Sequence, residues 1–164
     1  AGEQTGIYPL ESPGGWRILD RYFPGTRLRL RRMQARAGDE VIYKLTQKYR
    51  AETQSAVEAT ITNLYLSPAE YHLFADLPAL TVEKRRYAYR LGKHAMCIDV
   101  FEGRHQGLIL AEMELEDTGA DVLELPAFIL REVTADPFFT GGSLAMMGEE
   151  EFRSGLAQRL GGPA

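Results

Sequence analysis

Three arginines, Arg27, Arg29 and Arg31, alternate with leucine in the stretch GTRLRLRRM (Gly25–Met33). An extended chain points every second side chain to one face, so this segment offers a leucine face and an arginine face. The same spacing recurs in Lys44, Thr46 and Lys48, in Glu58, Thr60 and Thr62, in Lys84 and Arg86, and in Glu112 and Glu114. In REVT, Arg131 and Val133 lie on one side and Glu132 and Thr134 on the other. Guanidinium groups bind phosphate or carboxylate oxygens bidentately, and ammonium groups bind them as point charges. Glu112 and Glu114 offer hard oxygen donors suited to Mg²⁺ or Mn²⁺. A metal held there would bridge phosphate oxygens and neutralise the charge that develops in phosphoryl transfer.

Taken one segment at a time, such alternation is also the wet face of an antiparallel sheet. The set is less ordinary. The residues on the opposite side are Leu28, Leu30, Tyr43, Leu45, Ile61, Tyr87 and Met113, bulky enough to pack under helices. The charges would then line the interior of a curved sheet, where an anion and carboxylates must balance them.

The elements that would hold these residues follow from the pattern. WRILDRYF (Trp16–Phe23) reads as a short strand ended by Pro24-Gly25, and GTRLRLRRMQ and EVIYKLTQKY as a hairpin across Ala37-Gly38-Asp39. QSAVEATITNLYL is β-rich, VEKRRYAYRL alternates, and AMCIDVFEG and ILAEMELED follow it; REVT is a last β segment. Ser67-Pro68-Ala69-Glu70 carries an N-cap, a proline at the first helical position and a capping box, which predicts a helix to about Leu77. The spacing from about Gly142 to Leu160 predicts a terminal helix, with the acidic GEEEF as its solvated start. Residues 1–15 show no period. The expected architecture is α+β: antiparallel strands forming a barrel or strongly curved sheet, with helices at its sides.

The chain has 164 residues and a formal net charge of −4, with 45% hydrophobic residues. This suits one soluble domain, 1–164, and the negative balance argues against a general nucleic-acid binder. Arginines outnumber lysines fifteen to four among the 19 basic residues. The single cysteine, Cys97, sits in an apolar strand pattern and reads as a core residue; it excludes an intrachain disulfide framework. The apolar runs are too short for a membrane span, and a cytoplasmic location is the default expectation. His72, His94 and His105 have no ligand spacing and are expected at the surface. Asp99 could line the interior or stabilise a hairpin.

From about Asp20 to Ala145 the sequence resembles the CYTH family, the triphosphate tunnel metalloenzymes. The resemblance rests on ordered motifs: RLRLRR, YKLTQK, EKRRYAY, IDVFEGRHQGLILAEMELED and LPAFILREVTADPFFTGGSLA. It implies an eight-stranded antiparallel β-barrel forming a tunnel with flanking helices. By position it implies phosphate binding by Arg29, Arg31, Lys48, Lys84 and Arg86, with Arg27 at the strand's start; Lys44 joins them by strand parity alone. It implies Glu112 and Glu114 as catalytic metal ligands, Glu132 as a supporting carboxylate and Glu58 as a structural or metal-side carboxylate. The family's E-x-E-x-K signature is not found: Glu3 is followed by Gln-Thr-Gly and Glu11 by Ser-Pro-Gly. Either the first strand is missing from the sequence or the chain is divergent.

Two functions are therefore expected. The first is Mg²⁺- or Mn²⁺-dependent hydrolysis of an inorganic or organic triphosphate in a basic tunnel. The second is a non-catalytic domain binding triphosphate or polyphosphate, which the missing signature favours. The expected partner is a small triphosphate compound or polyphosphate, not a membrane or a specific nucleic acid.

Overall fold

A computed structural model describes residues 7–8, 14–49, 60–91, 94–113 and 126–161. Its strands are β1 (Ile7–Tyr8), β2 (Trp16–Tyr22), β3 (Leu28–Ala35), β4 (Val41–Tyr49), β5 (Thr60–Leu66), β6 (Leu80–Leu91), β7 (His94–Phe101) and β8 (Ile109–Met113). Its helices are α1 (Pro68–Ala75), α2 (Gly141–Met146) and α3 (Glu149–Leu160). The strands form one antiparallel sheet in the order β5-β4-β3-β2-β6-β7-β8. β1 also pairs with β6, beyond the end of β2.

The α+β class is as expected, but the barrel is not closed. The sheet curls into a half-barrel, and β5 and β8 are its two edges among the described residues. β1 adds two residues in line with β2 and does not form a strand position of its own. The REVT segment, expected as a last strand, is a loop: a Glu132 carboxylate oxygen accepts the Thr134 backbone N–H at 3.0 Å, and Asp136 accepts that of Phe138 at 3.0 Å. Such local side-chain bonds offer the backbone an alternative to a ladder.

Cross-strand register sorts the residues onto two faces. Pairs such as Asp20–Arg31, Arg31–Lys44 and Arg86–Asp99 stand directly opposite each other, so they share one face, here the inner one. The outer face of β3 and β4 carries Leu28, Leu30, Tyr43 and Leu45, which pack with Tyr71 and Phe74 of α1. The capping box of α1 forms as expected: the Ser67 hydroxyl accepts from the Glu70 N–H, and the Glu70 carboxylate accepts from the Ser67 N–H.

The expected single terminal helix is two helices, broken at Met147 and Gly148. With the turn Pro137–Phe139 they bury Leu144, Ala145, Phe138, Phe139 and Phe152 against Val82, Phe101 and Leu108. Val82 and Phe101 belong to the inner face by register, so the C-terminal segment covers one end of that face. Gly141 permits this approach, since a Cβ there would overlap the Tyr22 hydroxyl. His105, expected at the surface, is buried in this cluster at 1% exposure, with Nε2 2.7 Å from the Leu144 carbonyl. A smaller apolar group, Trp16, Ile18, Ala35, Met33 and Ile42, packs elsewhere on the inner face.

Gly15 leads the chain into β2 with φ of +78°, a conformation L side chains rarely adopt. A Cβ there would collide with the Arg86 carbonyl and lie 2.9 Å from the Tyr87 ring. Gly15→Ala is expected to destabilise the fold by about 2 kcal/mol or more, through left-handed strain and backbone displacement together. Urea unfolding checks this; an unchanged midpoint would show that the entry to β2 is not constrained.

Candidate functional site

The middle of the inner face holds a charged cluster. Asp20 on β2 receives two parallel hydrogen bonds from Arg31 on β3, Nε to Oδ1 at 2.6 Å and Nη2 to Oδ2 at 2.7 Å. Both side chains are buried, at 1% and 5% exposure. Asp99 on β7 is held the same way by Arg86 on β6, at 2.6 and 2.7 Å, and also accepts from Lys84 Nζ at 2.5 Å. Arg86 reaches on to Glu112 on β8 at 3.0 Å.

The periphery is more open. Arg29 donates from Nη2 to the Thr46 hydroxyl at 3.2 Å, and that hydroxyl donates to Asn63 Oδ1 at 2.7 Å. Arg29 Nε lies 3.8 Å from Asp20 and is a buried donor with no hydrogen-bond partner among the described residues. Such a buried, unmatched N–H calls for an acceptor. Lys44 stands beside Arg31 in register, with Nζ over the Tyr65 ring at 5.8 Å from its centroid. Among the described residues no carboxylate pairs with Lys44.

Proton affinities follow from this layout. Burial alone would raise the Asp20 carboxyl, but the charge and hydrogen bonds of Arg31, helped by Arg29, hold it below the usual carboxylate range. Asp99 is likewise pushed up by burial and pulled further down by Arg86 and Lys84. Burial lowers the Lys84 ammonium even with Asp99 against it, because Arg86 and Arg31 are close. Lys44 is lowered by burial and then by Arg31, Arg29 and Arg86. The cations Arg29, Arg31, Lys44, Lys84 and Arg86 outnumber the carboxylates Asp20, Asp99 and Glu112. The surplus lies on the β3–β4 side and suits an anion with several oxygens.

Of the residues expected at the site, Arg29, Arg31, Lys44, Lys84, Arg86 and Glu112 come together here. Arg27 lies outside β3, with its guanidinium over the Tyr49 ring at 4.8 Å. Lys48 shares the face of Lys44 by strand alternation, opposite Ile61. Glu132 lies in the loop described above, beside Arg131, Asp136 and Arg159 around a separate cavity of about 310 Å³. Glu58 and Glu114 lie outside the described residues. The expected face of β5 is reversed: Ile61, Asn63 and Tyr65 stand opposite Lys48, Thr46 and Lys44, which turns Thr60 and Thr62 outward.

Asp20 was not singled out by the sequence, and Asp99 only as one of two alternatives. In WRILDRYF, Asp20 shares a parity with Trp16 and Ile18, so an acidic residue in an apolar row was the available signal.

The described residues do not make a metal centre. Among the described residues no group of three His, Cys, Asp or Glu side chains could hold an ion. Asp20 and Asp99 spend both oxygens on cations, and Glu112 is paired with Arg86.

The chain is similar to an inorganic triphosphatase of Acetivibrio thermocellus, with 36% identity over 72 residues. The match covers 44% of this chain and 46% of that protein, so the chain spans less than half the length of this curated relative. A family model described as "Carboxyltransferase domain, subdomain C and D" matches residues 1–23. That match ends just past β2 and includes Asp20 alone of the cluster. No solved structure matches the chain. No helix among the described residues is long and apolar enough to cross a membrane.

The carboxylate pKa directions set a pH dependence. Carboxyls lowered in the folded state contribute stability above the unfolded value of about 3.9, and this is lost as pH falls through the folded value. The carboxylates' contribution to urea stability is therefore expected to hold from pH 7 to about 5 and to fall below about 4, while buried His105, its ring pushed below the usual value by desolvation, adds an earlier loss that begins below about pH 6.5. Asp20→Asn leaves Arg31 buried without its counter-charge and is expected to cost about 3–5 kcal/mol at pH 7. It should also reduce the loss on acidification. A variant as stable as the parent at pH 7 would mean that Asp20 does not hold Arg31.

Proposed function

We propose that the inner face binds a triphosphate or polyphosphate chain and that the protein hydrolyses a triphosphate there. The observation that carries the reading is the surplus positive charge beside the two satisfied aspartates. Arg29 has a buried Nε without an acceptor, and Lys44 has no carboxylate among the described residues. A phosphate oxygen at this place would satisfy Arg29 Nε and take charge from Lys44. Arg31, Lys84 and Arg86 are fixed by their aspartates and would supply a preorganised positive field behind it. The likeness to an inorganic triphosphatase supports hydrolysis as the activity, and the motif order noted in the sequence supports the CYTH family.

The described residues form no metal centre, so the expected Mg²⁺ or Mn²⁺ enters the proposal as a variable of its test. The second reading is a binding domain without turnover. It is favoured by the state of the carboxylates: Asp20, Asp99 and Glu112 are all engaged by arginine or lysine. Both readings assign a small triphosphate compound or polyphosphate as the partner. The cations are recessed among carboxylates on a curved face, which is poor geometry for a duplex or a membrane surface.

The deciding experiment measures phosphate release from inorganic triphosphate with Mg²⁺, Mn²⁺ or EDTA, alongside the melting temperature with the same compound. Release that requires the metal is expected. A melting temperature that rises with triphosphate but without release would establish the binding domain. No release and no stabilisation would sink both readings. Lys44→Ala, which breaks no ion pair among the described residues, is expected to weaken triphosphate binding roughly tenfold with little change in stability. Unchanged affinity would remove Lys44 from the site.

A further inference from the structure

The described helices leave half of the outer face of the sheet open. α1 packs on its β3–β4 half, while α2 and α3 pack on the inner side. Register sets out what the other half presents. Arg17, Arg85, Val100 and Ile109 stand in one row across β2, β6, β7 and β8. Tyr87, Ile98 and Ala111 form the next row, and Tyr89, Met96 and Met113 the one after. The β7–β8 side is therefore apolar. Its rim is open: Ile109 is 62% exposed, and Phe128, whose ring meets that of Tyr89 edge-on, is 51% exposed.

The β2–β6 side is cationic. Arg17 and Arg85 stand directly opposite each other, which is unfavourable between like charges. One carboxylate serves both. Glu102 accepts from Arg85 Nε, and its other oxygen lies 3.9 Å from Arg17 Nε, buried and without a hydrogen-bond partner among the described residues. The Arg17 side chain is 66% exposed. Arg32 stands beside Leu19 on the same face, and Arg36 donates to the Tyr87 hydroxyl at 3.2 Å. Against these four arginines the face sets Glu102 and the exposed Glu83, which stands opposite Leu19.

A contiguous apolar surface rimmed by polar groups marks an interaction site. Arginine, tyrosine and methionine are enriched where proteins meet, and lysine is depleted there. Width decides the shape of the occupant. From β2 to β8 is three strand spacings, about 14 Å, and a helix with its side chains is about 10–12 Å across. One helix can thus rest an apolar stripe on Ile98, Val100 and Ile109 while its flank reaches Arg17 and Arg85. α1 covers the other half of this face in the same manner, with Tyr71 and Phe74 against Leu30 and Leu45. Carboxylates three or four residues apart on that flank would stand about 5–6 Å from each other, which matches arginines on neighbouring strands. We infer that the outer face of β2, β6, β7 and β8 docks an amphipathic helix of a partner protein, apolar along one stripe and acidic along one flank. A membrane surface fits less well, because Glu83 and Glu102 lie among the arginines and would face anionic lipid. The inference does not depend on the triphosphate reading, which concerns the opposite side of the sheet.

The test is fluorescence polarisation with a labelled amphipathic peptide of about 18 residues, roughly five helical turns, carrying leucines on one stripe and glutamates along one flank. Its control replaces the glutamates with lysines. The glutamate peptide is expected to bind roughly tenfold tighter, or more, than the lysine peptide. Arg17→Glu and Ile109→Asp should each weaken the glutamate peptide roughly tenfold, and the lysine peptide should gain on Arg17→Glu. Both side chains are exposed, so both variants should fold, and their melting curves check this. The effect of inorganic triphosphate on the melting temperature should be the same in both variants as in the parent. Equal binding of the two peptides, binding that survives both substitutions, or no binding of the glutamate peptide would overturn the inference and leave the triphosphate reading untouched. Sedimentation with phosphatidylglycerol vesicles, in place of peptide binding, would assign the face to a membrane and equally overturn it.

Discussion

Two aspartates hold the inner face together by neutralising arginines that the sheet has buried. Asp20 grips Arg31 with both oxygens, and Asp99 grips Arg86 with both while also taking Lys84. Ion pairs of this kind add little net stability, because removing two charges from water costs about as much as their attraction returns. What they add is register. Sliding β2 against β3 by one residue would turn Asp20 to the outer face and leave Arg31 buried without a counter-charge. The same holds for β6 against β7. Both hairpin-like contacts are thus fixed by the penalty for being wrong.

That arrangement divides the cations into two classes. Arg31, Lys84 and Arg86 are committed, with short bonds and low exposure. They cannot swing toward a ligand without uncovering an aspartate. Arg29 and Lys44 are only partly committed: one has an unmatched Nε and the other rests over a ring. A ligand would meet two adaptable groups backed by three rigid ones. Rigid charge costs no reorganisation when an anion arrives, and the adaptable pair can follow the shape of a phosphate chain.

Much of this was legible in the residues, and the failures have physical causes. Alternation placed Arg29, Arg31, Lys44, Lys84 and Arg86 on one face, because a two-residue period survives any amount of sheet curvature. The capping box at Ser67 and Glu70 was readable because it is local. The face of β5 was misread because Ile61 was placed with the apolar residues opposite the charges, whereas the strand is an edge exposed on both faces. Closure of the barrel depends on contacts between the first and last parts of the sheet, which no local pattern encodes. REVT has strand composition, but Glu132 and, just beyond it, Asp136 each accept from the backbone N–H two residues further on. The burial of His105 was invisible because its partner, the Leu144 carbonyl, lies 39 residues away.

Asp20 shows most clearly why charge must be read across strands. Within β2 it is a single acidic residue in an apolar row, a signal that names no partner. Its role exists only because β3 places Arg31 directly opposite and Arg29 one step along. The same logic limits what the carboxylates can do chemically. Asp20 and Asp99 have no oxygen to spare, and freeing either would strand a buried guanidinium. Glu112 differs: its side chain is 59% exposed and accepts from Arg86 Nη2, the nitrogen that also donates to Asp99 Oδ2, and Arg86 keeps both bonds to Asp99 without it. Any exchange of partners during a functional cycle would therefore fall first on Glu112, at the β8 rim. Arg29 and Lys44 lie on the β3–β4 side, so the least committed cations and the least committed carboxylate are separated by the most rigid part of the cluster.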